Sequence, residues 1–147
     1  MTETTGPALD RMLFFSLYSA SRATTQVYRR LLEPWQLTYP QYLVLVELWD
    51  RGPRTVSQLG EGLGLDSGTL SPLLKRLEKA GLVSRTRADG DGRVVTVAPT
   101  ERGTALRAEM SDLPSQMWNC YGLEPDAARA LLTALHSLTD TLHADAD

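Results

Sequence analysis

Asp66-Ser-Gly-Thr-Leu-Ser-Pro-Leu-Leu-Lys-Arg-Leu-Glu-Lys-Ala-Gly-Leu82 is the stretch whose reading decides the fold. Leu70, Leu73, Leu74 and Leu77 recur at three- and four-residue intervals, the spacing of a helical stripe that a core must cover. The remaining positions carry Ser67, Thr69 and Ser71 early and Lys75, Arg76 and Lys79 late. Asp66 or Ser67 caps the start, Pro72 falls within the first turns, where a missing N–H costs least, and Gly81 supplies the stop. Hydroxyls followed by cations suit a helix pushed end-first into a DNA major groove, with hydroxyls at base edges or phosphates and cations on the backbone charge. They suit a solvated surface helix equally well, so the flanking sequence has to decide.

On the N-terminal side, Thr55-Val-Ser-Gln-Leu-Gly-Glu-Gly-Leu-Gly-Leu65 reads as a short helix capped by Thr55 and ending at Gly62 or Gly64. Two short helices joined by a Gly-containing turn make a helix-turn-helix. On the C-terminal side the pattern becomes alternating. Leu82–Ala88 pairs with Arg93–Ala98 across Asp89-Gly-Asp-Gly, whose Gly and Asp residues tolerate the backbone of a hairpin tip. Helix-turn-helix plus hairpin is a winged helix. Arg85, Arg87 and Arg93 lie on the wing, with Arg93, at the tip, best placed for a minor groove.

The rest of the chain reads as helices around this module. Thr38-Tyr-Pro-Gln41 caps a helix running to about Trp49, apolar on most sides and therefore central, and Asp50–Arg54 is a turn. Residues 9–33 form a long helix whose apolar arc is broad enough for two neighbours, one of them from a second subunit. Thr100 caps a helix to about Cys120, interrupted near Pro114, and a last helix from Glu124 carries Leu131, Leu132, Leu135, Leu138 and Leu142. The expected fold is mainly α with a small β-hairpin wing, in one domain over 1–147. A winged-helix part occupies about 38–98, and a helical dimerisation layer is drawn from about 9–34 and 100–143.

Composition sets limits. No apolar run approaches the roughly 20 residues of a membrane helix, and the N-terminus lacks the basic region of a secretory signal. The single cysteine forms no internal disulfide, in keeping with a cytoplasmic protein. The net charge of -3 argues against nucleic acid only until it is divided. Residues 66–107 hold eight Lys/Arg against five acids, and the remainder holds seven against thirteen. A basic module on an acidic body is compatible with DNA. His136 and His143 are two turns apart, about 10 Å along a helix, too far to share a metal. No Gly-x-Ser-x-Gly elbow or phosphate loop is present, so neither cofactor nor enzymatic activity is expected.

Leu17-Tyr-Ser-Ala-Ser-Arg22, Leu37-Thr-Tyr-Pro-Gln-Tyr-Leu43, the Leu65–Glu78 block and Asp91-Gly-Arg93 together resemble the MarR family of dimeric winged-helix regulators, and within it the organic-hydroperoxide-resistance branch. The resemblance covers about residues 9–143. It implies a recognition helix in the major groove, a wing Arg93 in the minor groove and an Asp91 that orients a neighbouring arginine. It also implies a peroxide-reactive cysteine in a Leu-Cys-Phe context early in the first helix. Here that context reads Leu13-Phe14-Phe15, and phenylalanine forms neither thiolate nor sulfenic acid. Tyr18 and Tyr28 are retained around the missing nucleophile.

The expectation is therefore a homodimeric regulator of double-stranded DNA, a repressor of oxidative-stress, organic hydroperoxide or xenobiotic response genes at a pseudo-palindromic operator. Ser67, Thr69, Ser71 and Lys75 supply groove contacts beside Pro72, and Arg76, Arg85 and Arg87 mainly touch phosphate. Its signal stays open. Phe14, Phe15, Tyr18 and Tyr28 form an aromatic pocket for a small apolar or phenolic ligand. Met12, Phe14, Phe15, Tyr18 and Trp49 read either as cavity lining or as plain core. Cys120 is either a packed small residue or a stand-alone redox thiol. Constitutive repression without sensing is a third possibility. A winged helix used for protein–protein contact, as in an antirepressor, is the alternative from another class.

Overall fold

The computed structural model describes residues 7–88 and 90–146, and Asp89 of the hairpin tip and the side chain of Asp91 lie outside them. The described residues divide into two compact units, one ending at Ser111 and one beginning at Asp112.

In the first unit, α1 (Leu13–Leu32) is preceded by a 3-10 turn at Ala8–Arg11 and followed by another at Glu33–Trp35. The helix expected from residue 9 is thus broken at Met12, which is extended. α2 (Tyr39–Arg51) starts with a complete capping box: the Thr38 hydroxyl accepts from Gln41 N–H and the Gln41 side chain accepts from Thr38 N–H. It buries Tyr42, Val44, Leu45 and Leu48, while Trp49 is half-buried and Val46 exposed, so the central helix still has one wet edge. The same box, Thr55 with Gln58, opens α3 (Val56–Leu63).

α4 (Ser67–Lys79) matches the decisive stretch. Asp66 is its cap, accepting from Thr69 N–H at 2.7 Å, and Leu70, Leu73, Leu74 and Leu77 are all buried. Pro72 sits deeper than its expected place in the first turns. It is the sixth helical residue, so the Gly68 carbonyl loses its usual donor. Both residues are exposed, where water replaces that bond. The end is a Schellman motif: Leu82 N–H bonds Leu77 O, Gly81 N–H bonds Glu78 O, and Gly81 takes φ +76°. Leu77 and Leu82 bury together over this turn.

The wing is larger than a hairpin. β2 (Val83–Ala88) and β3 (Asp91–Pro99) pair antiparallel, from Val83 opposite Pro99 to Arg87 opposite Val95, with an irregularity between Arg87 and Ala88. A third strand, β1 (Arg54–Thr55), pairs on the other side of β3, giving the order β1-β3-β2. The segment expected as a plain turn thus contributes a strand, and α2 extends into it as far as Arg51. β3 is central and its Val97 is buried. α5 (Glu101–Glu109), capped by Thr100, closes the unit. The Trp49 indole donates to Gly103 O and Arg107 to Trp49 O, which lashes α5 to α2.

The second unit holds α6 (Leu113–Tyr121) and α7 (Pro125–Asp145). The interruption expected near Pro114 lies at Met110–Asp112, and Pro114 opens α6 as a first-turn proline. Trp118 and Tyr121 pack edge to face at 5.7 Å. Trp118, Leu123, Pro125, Ala128, Arg129 and Leu132 line an apolar groove of about 310 Å³. α7 buries none of its residues, and Leu131, Leu132 and Leu142 are exposed. No described helix is long and apolar enough to cross a membrane.

Candidate nucleic-acid interface

At 100° per residue, the four buried leucines of α4 fix which residues look outward. Gly68, Pro72, Lys75 and Lys79 lie along the middle of the exposed face, flanked by Ser71 and Arg76, with Ser67 and Thr69 at its margins; all are exposed. The bare Gly68 and flat Pro72 leave the N-terminal half of that face low, with room for close approach to the backbone. Thr69 is partly committed, since its N–H donates to the Asp66 carboxylate.

The wing arginines differ from one another. Arg85 is half-buried and forks onto Glu78 of α4, Nε to Oε2 at 3.3 Å and Nη2 to Oε1 at 3.2 Å. Arg87 is exposed, and its Nη1 donates to Gly92 O at 2.7 Å, bridging the hairpin close to its tip. Arg93 is exposed on β3, two residues past the start of that strand. Asp91 occupies the first position of β3. Arg85 and Arg87, both expected on phosphate, hold protein groups here, and Glu78, the partner of Arg85, is legible in the sequence only as an acid seven residues ahead of it.

Three carboxylates are held below the usual range: Asp66 by the Thr69 N–H, Glu78 by the Arg85 guanidinium, and Glu109 by Arg102 and then the Trp35 indole. Glu109 accepts from Arg102 at 2.7 Å and from Trp35 at 3.2 Å. A lowered folded pKa contributes stability that is complete above the ordinary carboxylate value near about 4 and is lost as pH falls through the folded value. Melting temperature is therefore expected to hold flat down to about pH 5 and to fall below it, with a shallower fall in Glu109→Gln. A profile flat to about pH 3 contradicts this assignment.

The aromatic residues expected to form one pocket fall into two groups. Phe14 and Tyr18 stack at 6.4 Å near the start of α1, with Arg22 over the Tyr18 ring at 5.6 Å. Phe14 is 76% exposed and Tyr18 52%, and Leu9, Met12, Leu13 and Phe15 beside them are exposed too. Tyr28, about 15 Å further along the helix, packs instead on Tyr39 at 4.4 Å and Tyr42 at 6.1 Å. Trp49 belongs to this second group, edge-on to Tyr42. Cys120 is exposed, so it is no core residue of the single chain. No group of three or more metal-ligating side chains occurs among the described residues.

Comparison with known proteins matches this arrangement to others. A family model, MarR family, matches residues 37–95, which run from the start of α2 through most of the wing. The HTH-type transcriptional regulator TtmR of Methylorubrum extorquens (strain PA1) is 46% identical over 95% of this chain and 71% of its own length. The organic hydroperoxide resistance transcriptional regulator of Bacillus subtilis (strain 168) is 42% identical over 92% of each chain. Among solved structures, reduced AbfR bound to DNA, a protein of Staphylococcus epidermidis, superposes with a TM-score of 0.77 at 34% identity, covering 91% of this chain and 94% of that one. These relatives are transcriptional regulators, not enzymes.

Proposed function

Because the chain belongs to the MarR family, we propose that it is a homodimeric repressor that binds a pseudo-palindromic operator in double-stranded DNA and governs oxidative-stress, organic hydroperoxide or xenobiotic response genes. One observation carries the reading: α4 presents an outward face of Gly68, Ser71, Pro72, Lys75, Arg76 and Lys79, with a wing bearing Arg93 tied beside it. In a dimer, two such helices enter successive major grooves about 34 Å apart. Ser67, Thr69, Ser71 and Lys75 reach the groove, Arg76 meets phosphate and Arg93 enters the minor groove. A solved structure of a relative with this fold bound to DNA supports the DNA-binding reading.

Dimerisation has its own support. The segment from Leu9 into the start of α1 exposes Leu9, Met12, Leu13, Phe14 and Tyr18, and α7 exposes Leu131, Leu132 and Leu142. Exposed apolar side chains clustered in this way mark an association surface in each unit. A second copy covers both stretches, and the helices within about 9–34 and 100–143 set the spacing of the two DNA heads. Selection of bound fragments from genomic DNA by the purified protein tests the whole reading. Recovery of inverted repeats about one helical turn apart is expected; a protein that retains no DNA is instead a protein–protein module.

The signal is a small apolar or phenolic ligand seated among the aromatic residues at the start of α1. Phe14 removes the nucleophile while the rings beside it persist, which favours occupancy over oxidation. An organic hydroperoxide is therefore expected to leave both the wild type and Cys120→Ser bound to the operator. Release of the wild type alone moves sensing to Cys120, the exposed thiol.

A further inference from the structure

α4 carries one acid between Ser67 and Lys79, and an acid beside a DNA-facing surface works against binding. That acid is Glu78, and the Arg85 guanidinium covers it with two hydrogen bonds. Only Ala80, Gly81 and Leu82 separate α4 from β2. The main chain of this root is already fixed, because Leu82 N–H bonds Leu77 O and Leu82 O accepts Thr100 N–H. With Val83 and Val97 buried and β3 paired to β1, what the root leaves open is the tilt of the outer hairpin against the helix. The Glu78–Arg85 fork spans that joint from side chain to side chain, and Arg87 fixes the outer end of the hairpin through Gly92 O.

We propose that Glu78 and Arg85 are a positioning pair that sets the angle between recognition helix and wing, so that Arg85 does not serve as a phosphate ligand. The inference rests on the DNA-binding reading above and sharpens it. The two charges cancel, leaving the pair a geometric contribution to affinity: with the tilt fixed, the α4 face and Arg93 enter adjacent grooves in a single docking. An Arg85 turned wholly to phosphate would leave Glu78 bare next to the DNA.

The two assignments predict opposite signs for Glu78→Gln. Removing an acid and releasing a cation should tighten binding and steepen the dependence of log K on log salt by about 0.9 if Arg85 is free to meet phosphate. For a positioning pair, binding is expected to weaken by about threefold with the slope unchanged, and backbone protection at the minor groove under the wing should fade while protection under α4 persists. Arg85→Lys, which keeps the charge and loses the fork, should weaken binding similarly. The charge swap Glu78→Arg with Arg85→Glu should recover part of the loss. Each measurement uses DNA fragments retained by the wild type, with urea midpoints matched between proteins. Binding by Glu78→Gln as tight as wild type or tighter overturns the proposal while leaving DNA binding intact. Failure of the wild type to retain any DNA overturns both.

Discussion

Gly103→Ala is expected to destabilise the first unit by about 3 kcal/mol or more and to disturb the wing. Gly103 lies in the first turn of α5, where a Cβ would stand 2.0 Å from Leu82 O and 3.0 Å from Leu82 C. The obstacle is backbone, so no rotamer change relieves it. That backbone is pinned as well, since Leu82 O accepts Thr100 N–H and the Thr100 hydroxyl donates to Gly81 O at 2.6 Å. α5 cannot retreat without giving up the Trp49 bond to Gly103 O and the Arg107 bond to Trp49 O. The strain therefore divides between the α2–α5 contact and the root of β2, the joint that aims the wing. Gly62→Ala is the matched control: its Cβ meets nothing closer than the Glu47 carboxylate at 3.6 Å, within a helix, where Ala gains about 0.5–1 kcal/mol over Gly. Urea denaturation decides it. A Gly103→Ala midpoint equal to that of wild type would mean that α5 does not press on Leu82.

Gly103 also shows where sequence reading stops. α4 was legible because all that makes it is local: leucines at helical spacing, an Asp one residue ahead and a Gly two residues behind. The capping boxes at Thr38 and Thr55 are local in the same way, each a Thr with Gln three residues on. β1 was not legible. A two-residue strand has no period to detect, and it exists only because β3, some 40 residues later, pairs with it. The fork between Glu78 and Arg85 needs the Schellman turn to swing β2 back along α4, and nothing in either residue announces it. The aromatic residues of α1 were assigned to one pocket by resemblance. The helix itself places Phe14 and Tyr18 on an exposed segment and Tyr28 among Tyr39 and Tyr42, so the three do not line one closed pocket. Missing from the sequence in each case is contact between distant segments, which periodicity does not encode.

Arg93→Ala is expected to weaken operator binding by about tenfold or more, the effect of losing an arginine inserted in a groove. Its size reflects placement. Arg93 is exposed near the tip of a wing whose root is fixed by the Schellman turn and the Glu78 fork and whose outer end is held by Arg87. A wing held in this way brings Arg93 to the groove without reordering its main chain, so more of its attraction to the minor groove survives as affinity. One phosphate-region cation fewer should reduce the salt slope by about 0.9, and the loss should be greatest on sites whose flanks have a narrow, A·T-rich minor groove. Lys75→Ala makes the complementary case, since a major-groove contact is lost without any change in preference for flanking sequence. Titrations of both variants at two salt concentrations separate the roles. Equal affinity of Arg93→Ala and wild type at low and high salt would take the wing out of the interface and leave α4 to bind alone.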